Sequence, residues 1–173
     1  MRSFESLRID LKDLKDGLTT MEYDLDDSYF EYIEGPEVRK GNVHVILSIH
    51  KVNDFFELNV HTEGIVSIPC DICLDDMEQP ISTDNRLVVR FGDENSDDDE
   101  VVTIDENKGM LDVAWLIYEF IALAIPIKHV HAPGKCNPAM IKALEEHSAD
   151  RSSDEESTKE IDPRWEALLK LKK

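Results

Sequence analysis

The sequence predicts an α+β fold, a curved antiparallel β-meander or partial barrel packed on a central apolar helix. Three observations carry that expectation. From 43 to 91 apolar residues alternate with polar ones, the period of a half-buried strand. The connections between these runs are short and polar, which suits antiparallel neighbours. A later stretch, "DVAWLIYEFIALA" from 112 to 124, is apolar over the length of a helix.

Leu7, Ile9 and Leu11 alternate with Ser6, Arg8 and Asp10, which reads as a first strand. "DLDDSYFEYIEG" predicts a short helix beginning at Asp26 or Asp27, with Phe30 and Ile33 inward and Gly35–Pro36 as its stop. Val43, Val45, Leu47 and Ile49 form one face of the next strand, and Asn53–Asp54 supply a turn. Phe56, Leu58 and Val60 line a following strand, with a second turn expected at Glu63–Gly64. Val66, Ile68 and Cys70 then share a face, and Ile81, Thr83, Leu87, Val89 and Phe91 continue the pattern on a long strand.

"GDENSDDDE", 92 to 100, has six carboxylates and no base, and reads as a solvated loop. A calcium loop counted from Asp93 needs Gly where Asp98 stands and Glu where Ile104 stands, so that pattern fails. In the apolar helix, Asp112 is placed to cap the start. Glu119, amid apolar neighbours, is expected to be buried and bonded to backbone or Arg, with a catalytic or partner-contact role as the alternative.

"EEHSADRSSDEESTKE", 145 to 160, is poor in apolar residues and reads as a disordered acidic linker. In "IDPRWEALLKLKK", Asp162 and Pro163 open a helix with Trp165, Leu168 and Leu169 at helical spacing and Arg164 and Lys170 among its cations. The expected organisation is a single domain over 1–144, the linker over 145–160 and a basic amphipathic helix over 161–173. That helix either docks on its own acidic body or grips a partner with Trp165, Leu168, Leu169, Arg164 and Lys170.

The chain has 173 residues, 38 acids against 19 bases, and a net charge of −19. Between Lys15 and Arg39 stand eight carboxylates and no Lys or Arg, and between Lys51 and Arg86 eight more. Such a surface repels polyphosphate, which is bound by clustered cations, and attracts a basic protein instead. The longest apolar run, Val113 to Ile127, is about 15 residues with Glu119 inside it, too short for a bilayer. With no basic and apolar leader at the start, the expectation is a soluble, cytoplasmic protein without a membrane partner. No Ser–His–Asp set, phosphate-binding Gly loop or HExxH occurs, so neither catalysis nor a small-molecule substrate is expected.

The cysteines are Cys70, Cys73 and Cys136. "CDIC" and "HAPGKC" together give C-x2-C followed by H-x4-C, with His131 as the fourth ligand type. Two tight turns can each bring two such ligands to one tetrahedral zinc ion. His129 is a spare candidate. Three readings stay open: a structural zinc site on Cys70, Cys73, His131 and Cys136, unmetallated thiols in the core or at the surface, or a redox pair. The last prefers a thioredoxin-like helix start that the strand-rich context does not offer.

The order of these landmarks resembles the YceD family of large ribosomal RNA subunit accumulation proteins. "CDICLDD" after a strand, the acidic loop, "LDVAWLIYEFIALAIPI", "HAPGKC" and "DPRWEALLKLKK" are each similar to a family segment, covering about 45 to 173. The resemblance implies a bacterial cytoplasmic factor for large-subunit ribosomal RNA accumulation, with no established reaction. With the charge pattern it implies a partner that is a ribosomal protein or a ribosome maturation factor, and at most indirect or weak ribosomal RNA contact. The alternative is an RNA-binding or RNA-processing module that uses the C-terminal basic helix. An enzymatic version of it would need Asp97, Asp98 and Asp99 to hold magnesium for phosphodiester cleavage.

Overall fold

Residues 7–92, 101–105 and 109–148 are described by a computed structural model of the chain. The acidic loop from 93 to 100, the linker beyond 148 and the segment 161–173 lie outside the described residues. So do Trp165, Leu168, Leu169, Arg164 and Lys170.

The α+β expectation holds. A five-stranded sheet runs in the order β2 (Gly17–Leu25), β3 (Lys40–Val52), β4 (Phe55–Pro69), β5 (Asp76–Phe91), β6 (Val101–Ile104). β2 to β5 are antiparallel neighbours, and β6 adds parallel to β5. β1 (Arg8–Asp10) and β7 (Met110–Asp112) form a separate two-stranded ladder, Arg8 opposite Asp112 and Asp10 opposite Met110. Three helices complete the described residues: α1 (Asp27–Ile33), α2 (Ala114–Leu123) and α3 (Pro138–His147). α3 continues past the boundary expected at 144.

The alternation of the sequence is the alternation of burial. Val43, Val45, Leu47 and Ile49 of β3, Phe56, Leu58, Val60, Val66 and Ile68 of β4, and Ile81, Leu87 and Val89 of β5 share one buried face. Leu7, Ile9 and Leu11, Tyr29 and Phe30 of α1, and Ala114, Ile117, Tyr118 and Ile121 of α2 join that core. At the β3–β4 hairpin Val52 faces Phe55 across Asn53–Asp54, as expected, and Asn53 takes a left-handed φ of 55°. β2 has no counterpart in the sequence expectations. Its inner residues Thr19, Met21 and Tyr23 are only half-buried, so the apolar signal there is faint.

The turn expected at Glu63–Gly64 does not exist. β4 runs straight through, with Gly64 paired to both Val43 and Ile81. Residues 56 to 60 and 66 to 68 keep one parity, as a continuous strand requires. Gly64 is there for a close approach, not a bend: a Cβ would lie 2.3 Å from the Asn42 carbonyl oxygen.

α1 starts where expected. Asp26 caps it by accepting from the Ser28 N–H, and Glu34, at φ 53°, makes the left-handed exit in place of Gly35. Gly35 serves packing instead. The Tyr118 ring occupies the place where a Cβ would sit, at 2.0 Å, and the Tyr118 hydroxyl accepts from the N–H groups of Glu37 and Val38. α2, apolar nearly all round and expected to be central to the core, buries one face only. Trp115 is 47% and Leu123 83% exposed. Glu119 lies on that outer stripe, exposed, and accepts from the Trp115 indole at 2.7 Å. Asp112 ends β7, accepts from the Ala114 N–H at 3.0 Å, and leaves the cap position itself to Val113.

No helix among the described residues is long and apolar enough to cross a membrane.

Candidate metal centre

Cys70 follows the last residue of β4, and Pro69 pairs with Asp76, so Cys70 to Asp75 form the hairpin loop between β4 and β5. The loop is closed by its own backbone: Leu74 N–H donates to the Cys70 carbonyl and Cys70 N–H to the Asp75 carbonyl, both at 2.9 Å. Leu74 takes a left-handed φ of 62° to make the return. A loop this tight puts the thiols of Cys70 and Cys73 side by side, and both are buried.

The second pair comes from the segment after α2. Asp71 clamps that segment onto the loop. Its N–H donates to the His129 carbonyl at 3.0 Å, and its carboxylate accepts from the His129 N–H at 2.8 Å. Asp75 accepts from the Asn137 side-chain amide at 3.1 Å. Between these anchors the chain turns at Ala132–Lys135, with Gly134 at φ 80°, and presents His131 and Cys136 to the loop.

Cys70, Cys73, His131 and Cys136 bring their ligand atoms within 4.8 Å of one another. The Cys70 and Cys136 sulfurs are 3.8 Å apart. His131 Nδ1 lies 3.3 Å from the Cys73 sulfur and 3.9 Å from that of Cys136. Four ligands around a zinc ion with zinc–sulfur bonds of about 2.3 Å put the sulfurs about 3.8 Å from each other. The donor set and its spacing are therefore compatible with zinc. Three thiols and an imidazole make a closed shell with no place left for a reacting molecule, the form of a structural site.

His129, the spare candidate, is turned away. Its Nδ1 faces the Pro126 carbonyl at 3.0 Å and its Nε2 the Asp71 carboxylate at 3.3 Å.

The electrostatics suit a cation. Burial pushes the Cys70 thiol up, but the N–H groups of Cys73, His131 and Ile72, with the His131 ring, outweigh it and bring Cys70 down to about 6. At Cys136, burial and then the neighbouring thiols of Cys70 and Cys73 act in the same direction and push it up to about 11. One thiolate forms readily, and a second beside it needs a positive charge between them.

The sequence pointed to all four residues of the cluster but not to what positions them. Asp71, Asp75 and Asn137 are the clamp; its only signal in the sequence was the aspartates of "CDICLDD", one between the thiols and two after them.

The family described as Large ribosomal RNA subunit accumulation protein YceD matches residues 58–172. No curated protein and no solved structure matches the chain.

Proposed function

Because this chain belongs to the YceD family of large ribosomal RNA subunit accumulation proteins, we propose that it is a non-enzymatic factor in large-subunit assembly, acting through protein contacts of its acidic surface. The partner is a basic ribosomal protein or a maturation factor that itself carries cationic segments.

One observation supports this most directly. The register of the sheet gathers carboxylates on its solvent face: Glu22, Asp24, Glu57, Glu63 and Asp84 across the middle, with Asp76 and Glu78 at one end. Among the described residues Lys40, Arg86 and Arg90 are the Lys and Arg cations of that face; Arg86 is bound to Glu57 at 2.9 Å, and Asp24 and Asp84 are bonded to His44 and His61 at 2.8 and 2.7 Å. A broad anionic face steers cationic polypeptide toward it and RNA away from it.

The Cys70, Cys73, His131 and Cys136 cluster serves this function structurally. With zinc bound, it would fasten the segment from His129 to α3 onto the β4–β5 loop, supplying fixed geometry and no chemistry.

The test is affinity capture from a lysate with the full chain as bait, at low and at physiological salt, with bound proteins identified by mass spectrometry. Recovery of a basic ribosomal protein or maturation factor, weakened as salt rises, is the expected result. Recovery of neither at either salt overturns the proposal.

A further inference from the structure

We propose that the free edge of β2 receives an extended cationic strand of the partner and adds it to the sheet. The inference rests on the acidic-surface function above and names where that surface is engaged and by what conformation.

β2 is the first strand of the five-stranded order. At the other end the four-residue β6 covers only Val88–Phe91 of β5, and the rest of that edge carries Pro80 and Arg86, whereas β2, paired on one side with β3 from Gly17 opposite Lys51 to Leu25 opposite Val43, carries neither proline nor a base. Among the described residues no strand and no turn hydrogen bond meets its other side. Nine residues of strand make an edge about 30 Å long.

Proteins usually defend such an edge with lysine, proline or a bulge. "GLTTMEYDL" has neither residue, and its pairing with β3 runs residue for residue with no insertion. Its charges are Glu22 and Asp24, both exposed and both on the solvent face. They stand within the stretch from 16 to 38 that holds eight carboxylates and no Lys or Arg.

This combination selects the occupant. A second copy of β2 would set carboxylate beside carboxylate along the new ladder, which is repulsive. RNA brings no strand and carries the same sign of charge. An extended peptide with Lys or Arg at alternate positions satisfies both features, because its backbone pairs with the edge while its cations stand beside Glu22 and Asp24. Its intervening side chains fall on the inner side, beside the half-buried Met21 and Tyr23, where β-branched or other apolar residues gain burial. The pattern recognised is therefore alternating cationic and apolar.

The probe is a nine-residue peptide of alternating Lys and Val, compared with a fully N-methylated counterpart of equal charge. Binding to the full chain is followed by fluorescence anisotropy and by amide hydrogen exchange. The unmodified peptide should bind at least about ten-fold more tightly, because only it can pair with an edge. It should also slow exchange within 17–25. The exposed-site variants E22Q and D24N should each weaken it and leave the far-UV circular dichroism unchanged. Equal affinity of the two peptides, or protection confined to other segments, overturns strand addition while leaving an acidic docking surface in place. If neither peptide binds at low salt, the acidic-surface function falls with it.

Discussion

His129 and His131 stand two positions apart, yet only His131 faces the sulfurs. The spacing of a motif names ligand types, while the choice between neighbouring histidines is made by hydrogen bonds that draw one of them elsewhere, here to Asp71 and Pro126. His131→Ala should weaken zinc affinity by about 100-fold or more, and His129→Ala, which loosens only the clamp, by about ten-fold or less. Competition with a metallochromic chelator measures both, and equal losses would remove His131 from the ligand set. Glu119 carries the opposite lesson. Apolar neighbours in sequence suggested burial, but a helix shows one face to the core and one to water, and Glu119 falls on the second. Cys70, Cys73, His131 and Cys136 were legible because thiols and imidazoles are few in this chain. Asp71 was hidden because carboxylates are many.

Among the elements, the long strands with three or more buried positions could be read from the sequence, and β2, with one, could not. β3 and β5 announce themselves through Val, Ile and Leu on alternate positions. β2, at an edge with a half-covered inner side, offers threonines and single apolar residues and leaves little pattern. Gly64 makes β4 read as two strands, because glycine commonly marks a turn. The parity of the residues around Gly64 was the better guide, since one face stays buried from Phe56 to Ile68. The glycine answers a steric demand from β3, where the Asn42 carbonyl oxygen and the Val43 Cα would lie 2.3 and 2.7 Å from an added Cβ. Gly64→Ala should therefore destabilise the fold by about 2–4 kcal/mol, as forced overpacking between paired backbones does. Urea denaturation followed by circular dichroism checks it, and a change under about 0.5 kcal/mol, typical of an open surface site, would contradict the close approach.

At the scale of the molecule, the core and the segment beyond α2 are held by different means. The sheet, α1 and α2 share one buried apolar cluster. α3 has no buried residue and is joined to the body through Cys136 and the Asn137–Asp75 bond just before it. A ten-residue helix with nothing buried is marginal in water. Removing metal with a chelator should therefore speed amide exchange across 136–148 by about ten-fold or more, while β3 to β5 keep their protection. Uniform loss of protection would instead make the centre part of the global fold. The ladder of β1 and β7 has a consequence of its own. Arg8 and Asp112, which meet across it, are 104 residues apart in sequence. During synthesis the N-terminal Leu7, Ile9 and Leu11 leave the exit tunnel long before β7 and α2 exist to cover them, and the chain cannot close its apolar interior until its second half has been translated. A nascent chain stalled before residue 110 should accordingly remain open to chaperones and proteases, however complete its β-meander.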